Sequence, residues 1–189
     1  INNRLTMKKI LKLLFILFAI VYSYFLSKNI SYNWDMFAYA GVIATYSNND
    51  PIKIHDYAYS LLKHPNQEKK KDLINSSWRA KNFKDPVFFV SQLKYYYVKP
   101  LYTICAFLFT KLGLSLLSAL SLMSIIPFFL MLLLFHFWSE SFLPAWQSFI
   151  GVPLLFLNYD LSLLARLITP DAFSNFLILL ICYLCYQKK

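Results

Sequence analysis

Acidic residues are scarce in this chain, 9 against 19 lysines and arginines, and charged residues of both signs make up only 15% of its 189 positions. A soluble domain of this length carries about a quarter charged residues. Glycine numbers three, and no Gly-rich phosphate loop is present. No nucleic-acid module motif occurs either, so the net charge of +10 is not assigned to a nucleic-acid partner. There is no HExxH, no GxSxG and no cysteine–histidine cluster. His55, His64 and His136 are too scattered to propose a metal site. No internal repeat is visible. Of the three cysteines, Cys182 and Cys185 have CxxC spacing. They lie in a run of Leu, Ile and Tyr with no strand–helix context, so they read as small apolar residues on a lipid-embedded helix.

Apolar residues are abundant, at 58%, with a mean hydropathy of +0.47. This composition predicts a membrane protein, and the positive charge then serves headgroups and topology. Length alone suggests one domain. The expected fold is all-α, a polytopic membrane protein of about four transmembrane helices with a helical external loop between the first two. The predicted boundaries are a cytoplasmic N-terminus at 1–9, span 1 at 10–26, an external loop at 27–113, and spans 2, 3 and 4 at 114–138, 142–165 and 172–186. Tyr22–Leu26 offers no good signal-peptidase site, so span 1 reads as uncleaved. Met7 is a candidate natural start, with Ile1–Thr6 an upstream extension. Leu101–Thr110, bracketed by Lys99 and Lys111, is too short to cross a hydrocarbon core of about 30 Å. It is expected to be interfacial or re-entrant. Lys8, Lys9 and Lys12 at one end, with Lys188 and Lys189 at the other, put both termini inside by the positive-inside rule. The long basic loop then falls outside.

That loop, from Ser27 to Lys99, holds 11 of the 19 basic and 6 of the 9 acidic residues. Asp50-Pro51 and Asp85-Pro86 are helix starts, with Asp as cap and Pro at the first helical position. They predict helices over Pro51–Leu62 and Pro86–Tyr97, lying on the membrane face. The charged stretch from Pro65 to Lys84 is expected to be the most mobile part. Thr169-Pro170-Asp171 is a third helix start.

Asp35 follows span 1 directly, among the aromatics of Tyr32-Asn33-Trp34-Asp35-Met36-Phe37-Ala38-Tyr39. A carboxylate at a membrane face is costly without a role. Asp35 is a candidate general base, a candidate ligand for a divalent cation, or simply an N-cap. On the four-span topology Asp35, Asp160, Arg166 and Asp171 all emerge near the non-cytoplasmic face. Asp171 is a second candidate catalytic residue, or a complement to its helix dipole. Arg166 and Lys99 are candidate phosphate binders or headgroup anchors. His55, beside Asp56, is a candidate base or ligand, or part of a solvated helix face. Trp34 and Tyr95–Tyr97 read as an interfacial belt.

The order of these features resembles the amino-terminal part of GT-C membrane glycosyltransferases, the class that includes the protein mannosyltransferase and aminoarabinose transferase families. The features are the first span, Asn33-Trp34-Asp35-Met36-Phe37-Ala38-Tyr39, the long loop, Lys99-Pro100-Leu101-Tyr102, the close at Lys111-Leu112-Gly113, two further spans and Thr169-Pro170-Asp171-Ala172. The resemblance runs from about Lys8 to Tyr186. It implies a polyprenyl-phosphate sugar as donor, an acceptor on the outer face, Asp35 as base or metal ligand, and Asp171 as a second acidic position. A bacterial inner membrane is the expected location. Members of the class carry more spans and a further domain, so the expectation includes a truncated or reduced relative. The rival expectation is a non-catalytic subunit or scaffold with a membrane-protein partner, or an inactive truncated product.

Overall fold

The computed structural model describes residues 2–188, with side chains from Thr6 onward. Ile1 and Lys189 lie outside the described residues, and with Lys189 goes one of the lysines used for topology. Eleven α-helices are found among the described residues, with no strand. Ser31 and Leu167 form one isolated parallel bridge. The chain divides into two compact units rather than one domain.

The first unit comprises Ile1–Ile30, Ser124–Arg166 and Asp171–Lys189. Helix α1 is Asn2–Ser27, α8 is Leu116–Ser139, α9 is Ala145–Phe156, α10 is Tyr159–Arg166 and α11 is Asp171–Gln187. In α1, Phe15, Ala19, Ser23 and Leu26 are buried at helical spacing. Leu13, Leu17, Ile20, Val21, Tyr24 and Phe25 are more than half exposed. A helix that buries one face and exposes a second apolar face is built for lipid. Thr6–Ser27 and Leu116–Ser139 are each long and apolar enough to cross a membrane.

The expected third span, 142–165, is instead two helices, α9 and α10, bent by 71°. The break has a local cause: Asn158 Oδ1 accepts from the Asp160 amide and starts α10 anew. Neither helix alone reaches across a bilayer, so the pair counts as one span only if it is taken as a broken one. Helix α11 has 17 residues, about 25 Å at 1.5 Å per residue, and is grouped with the shorter apolar helices. The structure therefore has two helices of spanning length, three with the bent pair.

Lys8 and Lys12 of α1 reach Glu140, just past the end of α8, at 3.4 and 3.0 Å. The start of α1 thus meets the end of α8, and the two long helices run antiparallel. Glu140 also faces His136, whose ring is fully buried and stacks on Phe15 with centroids 3.8 Å apart. Ser148 of α9 lies 2.8 Å from His136 Nδ1 and is bonded to Ser139.

The second unit comprises Ser31–Met123 and Leu167–Pro170. Its helices are α2 (Asp35–Thr45), α3 (Pro51–Tyr59), α4 (Gln67–Ile74), α5 (Ser77–Lys84), α6 (Pro86–Gln92) and α7 (Pro100–Lys111), followed by the first turns of α8. Short 3₁₀ turns at Ser60–Lys63 and Leu93–Tyr95 extend α3 and α6. The two Asp-Pro starts form as predicted, with Asp50 accepting from the Ile52 amide and Asp85 from the Phe88 amide. Asn66 and Ser76 cap α4 and α5 in the same way, each cap contributing about 1 kcal/mol. The charged stretch from Pro65 to Lys84 thus holds two capped helices.

These helices build their own core around α2, whose nine residues from Met36 to Ala44 are all buried. A helix apolar on every side is stable only when surrounded, and α3, α7 and the 3₁₀ turn Leu93–Tyr95 pack on it. Gly41 sets one approach. A Cβ there would stand 2.9 Å from Leu93 Cδ2 and 2.9 Å from the Phe89 ring edge, and both neighbours are essentially fully buried. Gly41→Ala is expected to destabilise this unit by about 1–3 kcal/mol, read as a lower midpoint in thermal unfolding of the detergent-solubilised chain. An alanine variant as stable as wild type would mean that α2 and α6 are not in close contact.

Candidate functional site

Asp35 is the first residue of α2 and is half-buried. The Tyr96 hydroxyl donates to its Oδ1 at 3.0 Å. Tyr96 comes from the turn after α6, so this bond ties the start of α2 to a segment 61 residues away. Burial, and then the Asp35 carboxylate itself, raise the Tyr96 phenol well above its ordinary value. Tyr96 therefore stays protonated near neutral pH and remains a donor. Among the described residues, no lysine, arginine or histidine forms an ion pair with Asp35. A carboxylate oriented through one oxygen can accept a proton from a substrate hydroxyl.

Tyr96 in turn belongs to an aromatic cluster. Trp34, 4% exposed, packs against Trp78 at 4.3 Å, Tyr96 at 6.1 Å and Phe89 at 6.4 Å. Tyr39 meets Tyr96 at 5.2 Å and Tyr102 at 5.1 Å. Trp34 and Tyr96, read from sequence as an interfacial belt, are thus internal contacts of the unit.

His55 is also in this unit, but not on a solvated face. It is buried against Tyr59 at 4.5 Å, Phe89 at 5.6 Å and Phe83 at 6.3 Å. Its Nδ1 lies 3.6 Å from exposed Asp56, and its Nε2 is buried without a hydrogen-bond partner. Nothing in the i, i+1 pattern of His55-Asp56 signals burial; the apolar spacing of Ile54, Ala58 and Leu61 does. Lys99 precedes Pro100 at the start of α7, and its carbonyl takes the Thr103 amide.

The other two expected residues belong to the first unit. Arg166 ends α10, and its Nε donates to the Asn29 carbonyl at 2.8 Å, just past the end of α1. Its guanidinium also lies over Tyr159 at 5.9 Å. Part of its donor set is thereby spent on the protein. Asp171 opens α11 and lies in its first turn, with its carbonyl accepting from Asn175. The structure joins Asp35 to Tyr96; it records Asp35, Lys99 and His55 in one unit and Arg166 and Asp171 in the other.

A divalent cation takes six or more oxygen ligands in most protein sites, or fewer with histidine and thiolate. Among the described residues no group of three or more His, Cys, Asp or Glu is arranged to hold one. Asp35 with a tyrosine hydroxyl does not make such a donor set. Cys105, Cys182 and Cys185 are free thiols.

Two features escaped the sequence reading. Glu140 was read as part of a tight turn, although a lone acid between two long apolar segments is itself a signal. The second is a cavity of about 440 Å³ in the second unit, where the ends of α2 and α7 meet the start of α8. It is lined in part by Asn48, Tyr57, Thr110 and Lys111. Burial raises the Tyr57 phenol above its ordinary value, so it too is a neutral donor.

Comparison of the chain with family models, curated proteins and solved structures finds no match.

Proposed function

We propose that this chain is a GT-C-like membrane glycosyltransferase, acting in a bacterial inner membrane on a polyprenyl-phosphate sugar. The observation that supports this reading most is Asp35. It is a half-buried carboxylate, eight residues past the end of a span-length helix, oriented by Tyr96 and without a cation partner among the described residues. In the proposed reaction an acceptor hydroxyl gives its proton to Asp35. Its oxygen attacks the anomeric carbon, the bond from that carbon to the phosphate oxygen breaks, and polyprenyl phosphate leaves. Lys99, in the same unit as Asp35, is the first candidate for the donor's phosphate. Arg166 is committed at Nε to Asn29 and serves phosphate only through its remaining nitrogens.

The full chain in lipid nanodiscs, supplied with a panel of polyprenyl-phosphate sugars and hydroxyl acceptors, is expected to release polyprenyl phosphate. A folded chain that releases none from any donor removes this reading and leaves a non-catalytic subunit or scaffold. The Asp35–Tyr96 bond favours that second reading in one respect, because it also serves the fold.

A further inference from the structure

The cavity of the second unit lies at the opposite end of α2 from Asp35. Eleven helical residues separate the two by about 15 Å, so it is a different site. Its volume of about 440 Å³ falls within the roughly 300–1,000 Å³ typical of small-molecule pockets. Three properties of its wall restrict what fits.

One is charge. Among the described residues lining it, Lys111 alone is fully charged. This lysine is exposed, lies over the Phe107 ring at 5.1 Å, and is in no ion pair among the described residues. The ends of α2 and α7 bring partial negative charge of about half a unit each, and the start of α8 about half a unit positive. With the full charge of Lys111 the balance stays positive by about half a unit, which suits a single phosphate rather than a multiply charged anion. Another property is hydrogen bonding. Asn48 and Tyr57 offer amide and hydroxyl groups, and Thr110, whose own hydroxyl donates to the Phe107 carbonyl, offers an acceptor oxygen, which together suit a ligand with hydroxyls of its own. The last is the apolar remainder, with Phe107 and Leu116 among it. Leu116 is the first residue of the span-length helix α8. A helix entering a bilayer at Leu116 puts its first turn at the headgroup level, so a pocket lined by Leu116 opens where headgroup meets acyl chain.

We propose that this pocket binds the headgroup of an anionic, hydroxyl-bearing phospholipid, of the phosphatidylglycerol type. The phosphate pairs with Lys111, the glycerol hydroxyls meet Asn48, Tyr57 and Thr110, and the acyl stem leaves past Leu116. The assignment is independent of catalysis at Asp35.

The test uses the full chain in a neutral detergent, titrated separately with phosphatidylglycerol, phosphatidylcholine and glycerol 3-phosphate. Bound species are counted by native mass spectrometry. One phosphatidylglycerol is expected to be retained per chain, with about tenfold preference over phosphatidylcholine, as one charge-assisted contact allows. Lys111→Gln should abolish the preference, Ser47→Trp should fill the pocket and abolish retention, and Lys94→Gln should change neither. Equal retention of both lipids, or a preference unaltered by Lys111→Gln, overturns the proposal. Displacement of the lipid by an equal concentration of glycerol 3-phosphate would mark a soluble-anion site and overturn it too. Lys111 is exposed, so its variant keeps the test decisive if Ser47→Trp does not fold.

Discussion

Asp35→Asn is expected to lower sugar transfer by about 10²–10⁴-fold, the usual contribution of a positioned general base. The substitution is nearly isosteric. The asparagine Oδ1 still accepts from Tyr96, so the link from α2 to the turn after α6 survives, and thermal unfolding should be unchanged within about 0.5 kcal/mol. Tyr96→Phe is the informative partner. It keeps the carboxylate but removes the group that orients it, so the loss should be smaller, on the order of tenfold, with kcat falling more than KM rises. If a well-folded Asp35→Asn chain transfers sugar at the wild-type rate, Asp35 is a structural residue and the base lies elsewhere.

Removing both lysines that face Glu140 is expected to cost more stability than removing Glu140 itself. The Glu140 side chain is 6% exposed, whereas Lys8 and Lys12 are 49% and 37% exposed. Glu140→Gln leaves behind two ammonium groups that water can solvate, and should cost less than about 1 kcal/mol. Lys8→Gln with Lys12→Gln strands a buried carboxylate beside His136. Breaking a fully buried pair costs about 3–5 kcal/mol; with the lysines partly in water, about 2 kcal/mol is the expected figure. That corresponds to a midpoint lower by roughly 4–8 °C for a chain of this size. Adding Glu140→Gln to the double variant should restore most of the loss. The triple variant also discriminates against an effect on insertion, because it lacks the same positive-inside charges. A triple variant as unstable as the double one would assign the effect to topology rather than to the stranded carboxylate.

Local signals were legible where a residue acts on its immediate neighbours. The two Asp-Pro starts give α3 and α6 their caps because capping needs only the next three residues. The long apolar runs become α1 and α8 because spanning length is a property of one segment. The helices in the charged stretch from Pro65 to Lys84 are not legible from hydropathy, because its charges mask two ordinary caps, Asn66 and Ser76. The break in 142–165 is not legible for the opposite reason: hydropathy averages over Asn158, while one side-chain bond at Asn158 marks where the helix restarts, bent by 71°.

The sequence by itself determined an all-helical chain, two helices of membrane-spanning length, an acidic residue directly after the first of them, and a long polar insertion. Each of these follows from composition or periodicity within a single segment. Only tertiary structure decided that the insertion has its own core around α2, that Tyr96 orients Asp35, that His55 is buried, and that Glu140 is held by Lys8 and Lys12. Partners stand 34 positions apart for His55 and Phe89, 61 for Asp35 and Tyr96, and 132 for Lys8 and Glu140. The chain acquires such pairings when whole helix faces are buried together, and no local pattern carries that choice.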